Sequence, residues 1–271
     1  MGLKERLAPG SPAGDAAYRL LMLGAGARPR PHGGRGAAAV TAALLDAGAG
    51  RLPAEERAWL DRIEAHRHLL PATTVEHALD TRGLERETWL AEASRANRWM
   101  SLPPIAGRLV IRLVRELRPS ACVELGTGFG VSAAYQAAAL ELNGRGRLVS
   151  LDVEGMTAIA RPFLAGLGLE DRVSLRAGRI EDTLDAAITD ANPVEFALLD
   201  HDHTGSGTLA AFDALLPALA DGAVVVLDDV NWTEEMREAW RVVRRRERVA
   251  TAVTVRRLGI VAIAEPAAAG E

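Results

Sequence analysis

Three short segments carry the side chains with evident chemistry: Asp200-His201-Asp202-His203, Asp228-Asp229 and the loop Gly126-Thr127-Gly128-Phe129-Gly130. Each directly follows an apolar run. Carboxylates gathered at one place repel one another unless a cation neutralises them, and oxygen-rich ligand sets suit Mg2+ or Mn2+. The glycines let a backbone adopt positive φ and approach a ligand closely, and N–H groups opening the next helix favour a carboxylate or phosphate. Plainer readings stand beside these. The acidic runs are also placed to cap helices starting near Ser206 and after Trp232, and the loop is also explicable as a tight turn with Asp152 capping a helix. Two histidines one residue apart, with only Cys122 as a further soft ligand and that thiol inside an apolar run, make a poor zinc set.

Such residues meet only if their elements bring them together. Short apolar runs at 121–125, 148–152, 173–175, 196–200 and 223–228 alternate with helical segments near 130–142, 155–167, 180–189 and 206–219. Near-continuous apolar strands between amphipathic helices predict a parallel sheet covered on both faces. Residues 249–255 and 258–264, joined at Arg256-Arg257, predict a closing antiparallel hairpin. The fold class is therefore α/β, a Rossmann-like doubly wound and mainly parallel sheet ending in that hairpin, with an N-terminal helical extension. In such sheets ligands bind at the carboxyl ends of the strands, where all three segments lie.

The loop's details separate two nucleotide ligands. The dinucleotide pattern G-x-G-x-x-G calls for glycine at position 131, where the chain has Val131. Asp152 closes the second strand and is placed to accept hydrogen bonds from both hydroxyls of a ribose. Glu124, just before Leu125-Gly126, suits an ammonium group and would repel a pyrophosphate.

From about Arg98 to Ala264 the chain resembles the class I S-adenosylmethionine methyltransferases, and among them the divalent-metal-dependent catechol and caffeoyl-CoA O-methyltransferases. The resemblance is carried by Trp99-Met100-Ser101, Val123 to Gly128, Gly146 to Asp152, Leu199 to His203 and Val226 to Asp229. It implies cofactor contacts at Met100, Glu124, Gly126, Thr127, Gly128, Asp152 and Asp200, with Gly178 and Ile180 bordering the adenine. It implies a metal, Mg2+ or another divalent cation, at Asp200, Asp228 and Asp229, the last a departure from the asparagine common in catechol-type enzymes. Those enzymes place a lysine three residues after the first metal aspartate. Here that residue is His203, and Lys4 is the only lysine of the chain. His203 is accordingly the expected general base, a role its near-neutral intrinsic pKa suits. His201 and Trp232 are expected on the substrate side.

Beyond this region, residues 1–36 read as a flexible Gly/Pro/Ala/Arg-rich arm with a short helix around Ala16 to Leu23. Residues 37–97 read as a helical cap or oligomerisation region, 98–266 as the S-adenosylmethionine-binding domain, and 267–271 as a tail. With a formal net charge of −4, nothing suggests nucleic-acid binding; the basic run Arg241 to Arg248 reads as a solvated helix end. One cysteine, no membrane span and no evident leader point to the cytoplasm. The expectation is a biosynthetic O-methyltransferase with a small-molecule hydroxyl acceptor, assembled as a homodimer or higher homo-oligomer. The alternatives are a metal-independent methyltransferase, a nicotinamide oxidoreductase and a non-catalytic ligand-binding protein.

Overall fold

Alternate residues of each strand point to opposite sides of a sheet, and here both sides are apolar, so both must be covered. The computed structural model describes residues 11–28, 34–70 and 101–265. Its seven strands are β1 (Ala121–Leu125), β2 (Arg147–Asp152), β3 (Val173–Ala177), β4 (Val194–Leu199), β5 (Leu219–Leu227), β6 (Val249–Val255) and β7 (Leu258–Ile263). They form one sheet in the order β3-β2-β1-β4-β5-β7-β6. β1 to β5 are parallel, and β7 runs antiparallel to both β5 and β6. The strand order reverses between β1 and β4, which opens a crevice at their carboxyl ends.

The helices are α1 (Pro12–Gly26), α2 (Gly34–Ala49), α3 (Ala54–Arg67), α4 (Pro104–Leu117), α5 (Val131–Asn143), α6 (Glu154–Leu167), α7 (Ile180–Asp190), α8 (Gly205–Leu215) and α9 (Glu234–Val243). α1 to α6 share one core with Cys122, Leu148, Phe196, Val224 and Ile260. α7 to α9 share the other with the alternating residues Val123, Leu151, Ala197, Val225 and Val261. Cys122 is fully buried, and burial pushes its thiol pKa up. It is a core residue, as its apolar surroundings predict.

The expected flexible arm does not hold over residues 12–26. Ser11 caps α1 by accepting from the Gly14 N–H, and Pro12 opens its first turn. Tyr18 and Met22 are fully buried in the common core, and that burial outweighs the poor helix propensity of the Gly-rich flanks. The described part of the expected cap is likewise continuous with this core: Val40, Leu44, Leu60 and Ile63 are buried in it. The boundary near residue 97 lies outside the described residues. No helix among the described residues is long and apolar enough to cross a membrane. The basic run is held by ion pairs, Arg241 to Glu234 and Glu238, Arg246 to Asp213 and Arg248 to Asp221.

Candidate active site

The loops at the strand ends continue the ladder of the sheet. The Gly126 N–H donates to the Leu151 carbonyl (2.9 Å), Asp200 N–H to Leu125 (2.8 Å), Asp228 N–H to Leu199 (2.9 Å) and Gly178 N–H to Asp152 (3.0 Å). These bonds set the glycine loop, both acidic runs and the 178–180 loop side by side. Gly126 stands at φ +93°, and a Cβ there would lie 1.9 Å from the Asp200 carbonyl oxygen. Glycine is thus required where the loop and the first acidic run cross.

The helices after the acidic runs are capped by other residues. Thr204 accepts from the Gly207 N–H at the start of α8, and Thr233 from the Met236 N–H at the start of α9. Neither Asp200 nor Asp229 serves as a helix cap. Asp200, His203 and Asp229 each bring one ligand atom within 4.8 Å of the others. His203 lies between the two carboxylates, with Nε2 3.8 Å from Asp200 Oδ1 and Nδ1 3.7 Å from Asp229 Oδ2. Asp202, His203, Asp229 and Arg256 all have positive φ between 52° and 57°. Among the described residues only Arg118 joins them as a non-glycine with positive φ, and concentrated backbone strain of this kind marks sites where geometry is imposed. Burial and the charge of Asp228 raise the pKa of both Asp200 and Asp229.

Asp228 departs from expectation. Arg257 grips it bidentately, Nε to Oδ1 and Nη2 to Oδ2 both at 2.6 Å, and reaches Asp229 Oδ2 at 3.0 Å. Among the described residues, the cluster whose donor atoms could hold a metal ion is Asp200, His203 and Asp229, while Asp228 is engaged by the guanidinium.

On the cofactor side, Asp152 Oδ2 accepts from the Gly128 N–H and Oδ1 from the Val153 N–H, both at 2.8 Å. Asp152 thus ties β2 to the glycine loop. Glu124 stands behind that loop, not on its open side, and is fully buried. It pairs across the strands with Ser150, whose hydroxyl donates to it at 2.5 Å, and accepts from Gln136 Nε2 at 2.7 Å. Thr127 shares a 2.6 Å hydrogen bond with the same Ser150 hydroxyl, placing it in this inner network. Burial pushes the Glu124 carboxyl up to about 7, against the opposing hydrogen bonds. Ile180 opens α7 beside Gly178. His201 is partly buried, its pKa lowered mainly by burial, and its Nδ1 is enclosed without a hydrogen-bond partner. Trp232 is 67% exposed, its N–H bonded to the Asp229 carbonyl. Met100 lies outside the described residues.

A family profile described as a methyltransferase domain matches residues 123–230. That range runs from the first strand through the glycine loop to the second acidic run. Over those residues the chain is similar to methyltransferase domains. The chain is 28% identical over 181 residues to mouse catechol O-methyltransferase, spanning 65% of this chain and 63% of that protein. The fold matches an O-methyltransferase from Bacillus cereus solved in complex with SAH (TM-score 0.55, 24% identity, 71% of this chain and 91% of that one). It also matches the O-methyltransferase TomG from Streptomyces achromogenes, solved in complex with SAM (TM-score 0.54, 20% identity, 71% and 88%).

Arg257, which lies beyond the matched range, is the residue at the acidic edge that the motifs do not reveal, because it looks like an ordinary hairpin-turn residue. The strand register accounts for its place: β7 runs antiparallel to β5, with Gly259 opposite Leu227, so the residue two places before Gly259 falls beside the segment following β5.

Proposed function

We propose that this protein is an S-adenosylmethionine-dependent O-methyltransferase acting on a hydroxyl of a small molecule, with a divalent cation at Asp200, His203 and Asp229. The observation that carries this reading is the strand-end ladder, which sets the glycine loop directly against Asp200. A cofactor across Gly126 to Gly130, with its ribose at Asp152 and its adenine by Gly178 and Ile180, would then end next to the acidic edge. The enclosed Glu124 would act by fixing the loop from behind through Ser150 and Thr127.

Two of the edge's three carboxylates, Asp228 and Asp229, pair with one guanidinium, and the donors clustered beside it, two carboxylates and an imidazole, fit a divalent cation. Such a cation, when bound, supplies Lewis acidity that lowers the pKa of an acceptor hydroxyl. His201, held towards its neutral form by burial, contributes a neutral imidazole next to Asp200. Trp232 offers an open aromatic wall to the acceptor, and Met100 the cover expected from the resemblance.

A metal-free reading has its own support, since Arg257 already neutralises part of the edge. There the His203 lone pair accepts the hydroxyl proton, a role it lacks while serving as a ligand. Val131, where the dinucleotide pattern calls for glycine, speaks against a nicotinamide ligand.

Calorimetry with S-adenosylhomocysteine and with NAD, followed by methyl transfer to a panel of hydroxyl acceptors, tests the class. Binding of S-adenosylhomocysteine alone is expected. Asp200→Asn should abolish turnover while leaving cofactor affinity within about threefold, since it removes one donor of the edge and no loop contact. Turnover undiminished by chelator would reject the cation, and NAD binding would reject the class.

A further inference from the structure

The hydrogen bonds of the acidic edge divide its carboxylates unequally. Asp228 is 2% exposed, and both its oxygens lie on the Arg257 fork at 2.6 Å. Its Oδ1 also accepts from the Asp229 N–H at 2.7 Å. Bidentate guanidinium–carboxylate pairs are among the strongest side-chain contacts, and opening this one would leave a buried charge uncompensated. Asp229 gives Arg257 a single, longer contact, and Asp200 has His203 beside it at 3.8 Å.

The guanidinium is also held in place through its backbone. The Arg257 carbonyl accepts from the Val230 N–H at 3.0 Å. On the other side of the turn, the buried Tyr18 hydroxyl donates to the Val255 carbonyl at 3.5 Å, and Arg256 lies over the Tyr18 ring, 5.7 Å from its centroid. His203 and Asp229 both have positive-φ backbones, and the His203 Nδ1 lies 3.7 Å from the Asp229 Oδ2.

We infer that Arg257 is a built-in counter-ion that withdraws Asp228 from metal ligation, so that the edge takes a divalent cation through Asp200, His203 and Asp229. This deepens the proposed function and rests on it for the cation. Exchanging a carboxylate for an imidazole shifts such a site from Mg2+ towards Mn2+, because nitrogen ligands favour the later ion. Arg257 is then a positioning residue whose effect is on which ion binds and through which atoms.

The test is Mn2+ titrated into the purified full chain, with free Mn2+ read by electron paramagnetic resonance and Mg2+ as competitor. Wild type should bind Mn2+ saturably and more tightly than Mg2+. Asp228→Asn should stay within about threefold of wild type, whereas Asp200→Asn, Asp229→Asn and His203→Gln should each weaken binding about tenfold or more. In an Arg257→Gln background, which frees Asp228, Asp228→Asn should become as costly as Asp200→Asn, a coupling a merely structural arginine would not produce. Should Arg257→Gln not fold, the wild-type series decides alone. The inference is overturned if Asp228→Asn matches Asp200→Asn in the wild-type chain, if His203→Gln leaves affinity unchanged, or if wild type binds no Mn2+ at millimolar concentration. S-adenosylhomocysteine calorimetry on the same preparations separates the two levels. Cofactor binding without Mn2+ binding overturns only this inference, and loss of cofactor binding overturns the methyltransferase reading.

Discussion

Two carboxylates one strand apart, Asp152 and Glu124, serve the same loop by opposite means. Asp152 holds the Gly128 and Val153 N–H groups directly. Hydrogen bonds to a charged acceptor are worth roughly 1.5–3 kcal/mol, so Asp152→Ala should weaken S-adenosylhomocysteine binding by about tenfold or more, read by calorimetry. Glu124 works from within the core, where burial lifts its carboxyl to about 7. The folded protein therefore keeps a proton that the unfolded chain releases near its ordinary carboxylate pKa. Stability is undiminished below about pH 4.5, falls as pH rises towards 7, and levels off above it. The loss amounts to about 3 kcal/mol. Glu124→Gln should flatten that fall, measured by urea unfolding across pH 5 to 8. An unchanged pH profile would show that Glu124 is not the group responsible.

At the scale of elements, the strand-end ladder turns five parallel strands into one site. Its tightest point is Gly126, where positive φ combines with a backbone oxygen 1.9 Å from any added Cβ. Gly144 makes the control, since it also has positive φ (+65°) but nothing within 4 Å of an added Cβ. Gly144→Ala should cost only the left-handed backbone penalty, roughly 1–2 kcal/mol. Gly126→Ala must in addition push β1's loop off the Asp200 carbonyl, and should cost about 3 kcal/mol or more with loss of cofactor binding. Equal costs in urea unfolding would show that the loop crossing is not tight. The acidic runs, by contrast, leave helix capping to Thr204 and Thr233, and that division of labour leaves Asp200 and Asp229 free of that role.

For the whole molecule, the N-terminal helix is part of the same cooperative unit as the sheet. Tyr18 is fully buried against the core that also contains α4, α5 and the hairpin strands. Tyr18→Ala should cost about 3–5 kcal/mol, as other buried aromatic truncations do, and urea unfolding should remain one transition. Two transitions would restore an independent N-terminal arm. Much of this architecture was legible in the sequence. Strand runs such as 121–125 and 223–228 are apolar on both faces, and turn residues punctuate them, so the doubly wound sheet and the strand ends carrying the motifs follow from local pattern. The glycine loop, Asp152 and both acidic runs are legible in the same way, because each stands at the end of such a run. Burial of α1 was not legible, because a Gly- and Ala-rich helix shows its partner only once the sheet exists. Nor was the carboxylate partition: Asp228 and Asp229 are chain neighbours of the same type, and only the antiparallel return of β7 lays Arg257 against one more than the other. Local sequence determined which groups reach the crevice. Tertiary pairing decided their charge partners, because ion pairs between residues 228 and 257 form through the sheet and not along the chain.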